Sequence, residues 1–274
     1  MTVKQRHSLY QPLALVCTLA VFFPNTINVQ AQPAFSSSSQ TPKPQPSPPN
    51  SRYGNRLRQV ARLKFTLPPK GAPGRRTDAA SRSGCPVLSQ PVTALVPPTN
   101  IGLTLADRPT FWFNIPYQSN SNTLKKFQLL DEEETVVYET FPTVDTPGIV
   151  NINLPNTLPA LQIGKKYQWV LSFICDPASL ETSALVNGYV ERVAVTPPLK
   201  QKLEAAKTPR ERILLYAENG LWFDTLTALI AELHNKPTDA QLVKDWQGLL
   251  QQSPEVQLPE LVNKPVLSYN KSQE

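Results

Sequence analysis

The sequence has few of the residues on which most catalytic and metal sites depend. Its 274 residues include two histidines and three cysteines, a count that excludes a metal cluster built from several imidazoles. A catalytic triad would rest on His234 alone, because His7 lies in a signal-like amino-terminal segment. We therefore expect a protein that is not an enzyme and has no catalytic residue, metal or cofactor. Paired carboxylates, as in glycosidases, are the catalytic alternative left open.

Long apolar runs are also scarce. The run from Leu13 to Phe23 has 11 residues, whereas a membrane-spanning helix requires about 20. Lys4 and Arg6 precede the run, and small residues suited to signal peptidase end at Ala31. This pattern predicts a secretory signal over residues 1–31. We expect export to the periplasm, the cell envelope or the extracellular space, with an uncleaved membrane anchor as the alternative.

Removal of the signal would leave two cysteines. Cys17 would be lost, and Cys85 and Cys175 would remain in an oxidising compartment. We expect them to form a disulfide. It would close a loop of 90 residues and stabilise the fold by about 4 to 5 kcal/mol in the chain-entropy model. Two buried free thiols are the alternative.

Residues 32–83 are rich in proline, serine and basic residues. The composition predicts a disordered linker, because it offers little apolar surface to bury. Nine basic residues and one acid lie between Arg52 and Arg82, whereas the chain from Cys85 onward has 15 basic and 20 acidic residues. The basic segment from Arg52 to Arg82, called the arm, could bind an anionic polymer, a membrane surface or an acidic protein patch. A solvated linker is the alternative. Nucleic acid is not expected in an exported protein. The candidate binding residues in the arm are Arg52, Arg56, Arg58, Arg62 and Lys64.

Alternating apolar residues recur after Cys85. They occur in "RPTFWFNIP", "KFQLLDEEETVVYETF", "GIVNINLP", "YQWVLSFIC" and "LVNGYVERVAV". Short strands at this spacing, with no helical pattern between them, predict an antiparallel β-sandwich over residues 84–197. The four acids at 131–134 are expected to form a solvated hairpin turn. Trp112 and Tyr117 are candidate exposed contacts for a polymer.

One motif refines the sandwich prediction. Leu161, Gly164 and Tyr167 have the spacing of a tyrosine corner, in which the tyrosine hydroxyl bonds back to the backbone. The pattern resembles immunoglobulin and fibronectin type III folds. An ordinary buried tyrosine is the alternative.

Helical signals begin at Pro198. Thr208 is a predicted N-cap and Gly220 a predicted C-terminal cap. Residues 198–252 resemble a single tetratricopeptide-like unit at these positions: Tyr216, Gly220, Trp222, Leu229 and Pro237. One unit cannot bury its own apolar faces. They must therefore dock on the sandwich or on a partner, for which Trp222 is a candidate contact. Residues 253–274 are predicted to be a disordered tail.

The segments "GCP", "RPTFWFNIPY", "GKKYQWVLSFIC" and "AENGLWFDTL" together resemble a cyanobacterial family known as domain of unknown function 928. The resemblance covers roughly residues 84–250 and implies an exported or envelope location. It implies no activity, ligand or site residue. We expect a protein-binding adaptor or assembly module of the envelope, acting through the helical unit or a sandwich edge on an unknown envelope protein. The alternative is a structural or binding module for an anionic polymer.

Overall fold

The structure is a computed structural model that describes residues 61–78, 90–116, 124–144, 146–176, 181–252 and 256–267. These residues lie in the unit Leu57–Glu274. Several features of the sequence analysis lie outside the described residues: the predicted signal, Arg52, Arg56, Arg58, Cys85 and Tyr117.

Among the described residues, nine strands precede four helices, and the order of strands before helices is the one that the sequence predicted. The strands are β1 (Thr77–Asp78), β2 (Val92–Ala94), β3 (Ile101–Thr104), β4 (Thr110–Ile115), β5 (Leu124–Leu130), β6 (Val136–Thr140), β7 (Gly148–Asn153), β8 (Lys166–Asp176) and β9 (Glu181–Arg192). The helices are α1 (Pro197–Ala205), α2 (Pro209–Glu218), α3 (Trp222–Asn235) and α4 (Ala240–Gln247), followed by a π-helical turn, Gly248–Gln252, and a 3-10 turn, Pro259–Leu261.

The strands form two sheets packed face to face. One has the order β1-β2-β4-β7 and the other the order β3-β9-β8-β5-β6. Every pair of neighbouring strands is antiparallel except β3 and β9, which are parallel. The predicted sandwich is confirmed. β1, β2 and β3 were not predicted, because strands of two to four residues are too short to show an alternating pattern.

Aromatic side chains fill the space between the sheets. Phe111 and Phe113 of β4 approach Trp169 of β8, with ring centroids 6.4 and 5.5 Å apart. Phe127 of β5 lies 5.1 Å from Phe111. These residues are the inward members of alternating strands, so period-two alternation produces the core directly.

Segment 75–78 bridges the two sheets along one side. Its Arg75 exchanges backbone hydrogen bonds of 3.0 and 2.9 Å with Asn187 of β9, while Thr77 and Asp78 pair with β2. The Asp78 carboxylate also accepts a 2.7 Å bond from the backbone N–H of Leu185. The sandwich is therefore closed on this side.

Helix α3 packs against both sheets, on β4 of one and β3 of the other. Trp112 Nε1 donates to Thr227 Oγ1 of α3 at 3.1 Å, and Phe223 lies against Gly102 of β3, where a Cβ atom would be 2.7 Å from its ring. Thr208 caps α2 by accepting from the Glu211 N–H at 3.2 Å. Gly220, at φ +71°, makes the turn into α3.

The described part of the predicted linker belongs to the fold. Phe65 is buried and its ring centroid lies 5.0 Å from that of Trp222. The Thr66 N–H donates to the Ala217 carbonyl at 3.0 Å. The linker prediction is wrong for residues 61–78. Leu63, Phe65 and Leu67 alternate with polar residues and pack against the core. A prediction based on the composition of the whole segment overlooked this short alternation.

The predicted disordered tail is also wrong for residues 256–267. Val256, Leu258 and Leu261 are buried. The Arg76 guanidinium donates to the carbonyls of Val256 at 2.6 Å and Gln257 at 3.1 Å. These contacts come from a segment 180 residues away in sequence, which a local pattern does not reveal.

Candidate binding edge at strand β6

Each sheet has two edge strands, and three of these four edge strands are covered by other parts of the chain. β1 belongs to the bridging segment, and β3 lies under α3 through Gly102. The carboxyl-terminal segment covers β7: Ile149 donates to the Pro265 carbonyl at 2.8 Å and accepts from the Leu267 N–H at 2.8 Å. The hydrogen bonds at Ile149 satisfy edge groups of β7 that would otherwise be open to pairing.

The fourth edge strand, β6, pairs on one side only. Its partner is β5, from Phe127 opposite Thr140 to Leu130 opposite Val136. Among the described residues, no backbone segment pairs with its other side. Two apolar side chains mark this edge: Val136 is 44% exposed and Phe141 is 49% exposed. β6 is therefore an open sheet edge with apolar side chains at both ends.

The acidic turn that leads into β6 has a defined shape. Asp131 Oδ1 accepts from the backbone N–H groups of Glu133 and Thr135, at 3.1 and 2.8 Å. Glu134 has φ +60°, a left-handed conformation that the turn requires. The carboxylates of Glu133 and Glu134 make no ion pair in the described part of the chain.

Glu132 ties this turn to the loop at residues 161–165, which precedes β8 and is called the corner loop. Its carboxylate accepts from Lys165 Nζ at 2.6 Å and from the backbone N–H of Lys166 at 3.3 Å. The hydrogen bond from Lys165 lowers the pKa of Glu132, and Glu132 raises the pKa of Lys165. The predicted solvated turn is thus anchored at one of its four acids.

A cleft of about 530 Å³ lies beside the turn. Val137 of β6, Leu158 and Tyr167 form apolar parts of its wall, while Asp131 and Glu133 contribute carboxylates. Lys165 and Lys166 also line it. The cleft therefore adjoins the open edge and combines apolar surface with charges of both signs.

The predicted tyrosine corner lies at the same end of the sandwich. Tyr167 Oη accepts a 3.2 Å hydrogen bond from the Gln162 backbone N–H. Leu161 is buried, and Gly164 has φ +79° with open space where a side chain would project. Together with Glu132, these bonds fix the loop that faces the β6 turn.

The two candidate tryptophans are not available to a partner. Trp112 is 2% exposed and Trp222 is fully buried. The prediction that Trp112 is exposed is wrong, because α3 covers the sheet face that alternation alone assigned to solvent. Trp222 packs on the sandwich, so the apolar helical faces have their partner within the chain.

The described basic residues of the arm serve different roles. Arg62 and Lys64 are exposed, whereas Arg76 holds the carboxyl-terminal segment. The predicted Cys85–Cys175 disulfide stays a prediction, because Cys85 lies outside the described residues. Within the described ranges, no group of three or more His, Cys, Asp or Glu residues is placed to hold a metal ion. No helix there is long and apolar enough to cross a bilayer.

Residues 77–266 match the family model described as Domain of Unknown Function (DUF928). The chain belongs to this family. The match confirms the resemblance seen in the sequence, and the nine strands and four helices described for this DUF928 protein fall within it. No curated protein matches the sequence significantly. Among solved structures, truncated FlgD from Helicobacter pylori (strain 26695), in its monoclinic form, is similar over 44% of this chain and 77% of its own, at 12% identity and a TM-score of 0.26. No functional conclusion follows from a similarity of that size.

Proposed function

We propose that this protein is a non-enzymatic, exported adaptor of the cell envelope that binds an extended segment of a partner protein at the edge of β6. The observation that carries the proposal is that β6 is unpaired on one side while chain segments cover β1, β3 and β7. A peptide that adds a strand to such an edge gains main-chain hydrogen bonds along its length.

The side chains around β6 define the chemistry of the partner segment. Val136 and Phe141 offer apolar contacts at the two ends of the strand. Glu133, Glu134 and the exposed Glu139 give the edge a negative charge. A complementary segment is therefore extended, contains β-branched or aromatic residues and carries lysine or arginine near the acidic turn.

The proposal is tested by capture from the envelope fraction with the chain starting at Leu57, so that Phe65 and the rest of the fold are retained. The variant Val136→Lys/Phe141→Lys places charges on the edge, which disfavours strand addition. Val266→Lys is the matched control, since Val266 is similarly exposed, at 38%, but lies beside β7. We expect a discrete protein to be retained at high salt by the starting chain and the control, and lost with the double variant.

A peptide experiment then tests the binding mode. The captured protein is divided into synthetic 12-residue peptides, and the binding peptide is compared with a copy whose alternate backbone nitrogens are methylated. Loss of binding on methylation supports strand addition, because the methyl groups remove main-chain donors. Capture that is equal for the double variant and the control contradicts the proposal.

A second function rests on the exposed basic residues of the arm. Arg62 and Lys64 project from the fold and continue the basic segment that begins at Arg52. They support binding to an anionic envelope polymer. Such binding would weaken steeply with ionic strength and would require the arm, whereas capture by β6 requires neither low salt nor residues before Leu57.

A further inference from the structure

A groove separate from β6 lies where the sandwich meets the first two helices. It has a volume of about 500 Å³, within the range of small-molecule sites. Its walls come from five elements: the loop after β3, the corner loop, the end of β9 with the segment after it, α1, and α2. The aliphatic residues that line it are Leu105, Ile163, Val193, Val195 and Leu203.

Two of these aliphatic side chains are exposed. Ile163 is 58% exposed, more than any other large apolar residue of the described chain, and Val195 is 41% exposed. Both line the same groove. Exposed apolar surface concentrated in a concave site indicates a ligand more strongly than scattered residues do.

Three cations line the groove without an acid partner. Arg192, Lys200 and Arg212 form no ion pair within 4 Å among the described residues. Arg192 makes one side-chain hydrogen bond, from Nη1 to the Leu161 carbonyl at 2.6 Å. Its Nε is buried and has no hydrogen-bond partner. One carboxylate, Glu204, also lines the groove, so the cations exceed the acids there by two.

The distribution of donors and acceptors restricts the ligand further. Arginine and lysine only donate hydrogen bonds, and the aliphatic walls offer no polar group. A bound peptide backbone presents a donor at nearly every residue, whereas Glu204 is the one carboxylate among the residues that line the groove. A ligand with acceptors at one end and an aliphatic body matches both halves of the groove.

We propose that this groove binds an aliphatic monocarboxylate, with the carboxylate beside Arg192, Lys200 and Arg212 and the hydrocarbon chain along Ile163 and Val195. This site is independent of the adaptor function, because neither β6 nor the acidic turn contributes to it. The half-buried Tyr216 hydroxyl forms part of the wall and can donate a further hydrogen bond to the carboxylate.

Calorimetric titration of the full chain with dodecanoate, below its micelle concentration, tests the proposal. Dodecyltrimethylammonium is the matched ligand control, because it has the same chain and the opposite charge. We expect saturable one-to-one binding of dodecanoate and none of the ammonium. Affinity should rise from octanoate to dodecanoate by up to about fourfold for each added CH₂, the value for a fully buried methylene.

Protein variants assign the two halves of the site. Lys200→Gln/Arg212→Gln should weaken dodecanoate binding about tenfold or more, since each removes a charge-assisted contact. Ile163→Ser/Val195→Ser should weaken it and flatten the dependence on chain length. The controls are Lys207→Gln and Val266→Ser, which change an exposed lysine and an exposed valine outside the groove.

Three outcomes overturn the proposal. One is equal binding of the ammonium, which indicates unspecific uptake of amphiphiles. Another is dodecanoate binding that the groove variants leave unchanged. The third is no binding of dodecanoate. In that case, retention on vesicles containing anionic lipid would assign the groove to a membrane surface, and binding of a peptide through its free carboxyl terminus would assign it to a protein ligand.

Discussion

Trp222 Nε1 donates a 2.6 Å hydrogen bond to the backbone carbonyl of Leu95. Both groups are buried, and the bond joins the first turn of α3 to the strand region after β2. The indole also packs edge-on against Phe65. A single side chain therefore connects the helices, the sandwich and the segment that precedes them.

Replacement of Trp222 should destabilise the whole fold. We expect Trp222→Ala to lower the free energy of unfolding by about 3 to 5 kcal/mol through loss of a buried aromatic side chain. Trp222→Phe should lower it by about 1 to 3 kcal/mol, because the Leu95 carbonyl loses its donor. Urea denaturation followed by circular dichroism measures both. Separate transitions for helices and strands would contradict the shared core.

Asp224 should make stability depend on pH. Its carboxylate accepts from the Leu105 N–H at 3.0 Å, and burial raises its pKa to about 6 from 3.8. Because the folded pKa is the higher one, the stabilising contribution of the protonated form is complete below about pH 3.8 and is lost as the pH rises through about 6.

Asp224→Asn removes the buried charge and keeps an acceptor for Leu105. We expect the variant to be more stable than the original chain by about 1 to 3 kcal/mol at pH 7.5, with the difference shrinking toward pH 4. Urea unfolding at a series of pH values checks this. A variant that is less stable at pH 7.5 would show that the ionised carboxylate is favourable in the fold.

Arg76 should control the order of the carboxyl-terminal segment. Arg76→Gln removes charge-assisted bonds to Val256 and Gln257, each worth about 1.5 to 3 kcal/mol. Hydrogen exchange should then accelerate at the Ile149 and Leu267 amides, which pair this segment with β7. Lys70→Gln, at an exposed lysine, is the control. Unchanged protection at both amides would rule out the role given to Arg76.

The tyrosine corner should contribute a measurable stabilisation. Tyr167→Phe leaves the Gln162 N–H without its acceptor and should lower the free energy of unfolding by about 1 to 2 kcal/mol. Gly164→Ala should lower it by about 1 to 2 kcal/mol, because φ is +79°. Gly164→Asn is the matched control, since asparagine tolerates this conformation better, and should lower it less. Equal effects of alanine and asparagine would argue against conformational strain.

The disulfide prediction is tested with protein produced in an oxidising compartment. Thiol titration in denaturant should find no free thiol if Cys85 and Cys175 are bonded. Cys85→Ser/Cys175→Ser should then be less stable by up to about 4 to 5 kcal/mol, as expected for a loop of 90 residues. Two titratable thiols in protein kept from reductants would reject the bridge.

Local patterns in the sequence were enough to predict β4 to β9 and the helix pair. Alternation in "YQWVLSFIC" places Trp169 inward, and the cap residues Thr208 and Gly220 delimit α2, because both signals depend on neighbours a few residues apart. The charge division between arm and folded chain is likewise a property of the sequence. Family membership also followed from sequence segments alone.

The candidate sites depended on contacts between distant segments, which only the tertiary structure decided. Trp112 lies on the polar-looking face of an alternating strand, and its burial results from α3, more than a hundred residues later. β6 is open on one side among the described residues, whereas the carboxyl-terminal segment pairs with β7. The groove gathers Arg192, Lys200 and Arg212 from three elements. A one-dimensional pattern shows which residues are apolar or charged, whereas the surface that covers each of them is fixed by long-range packing.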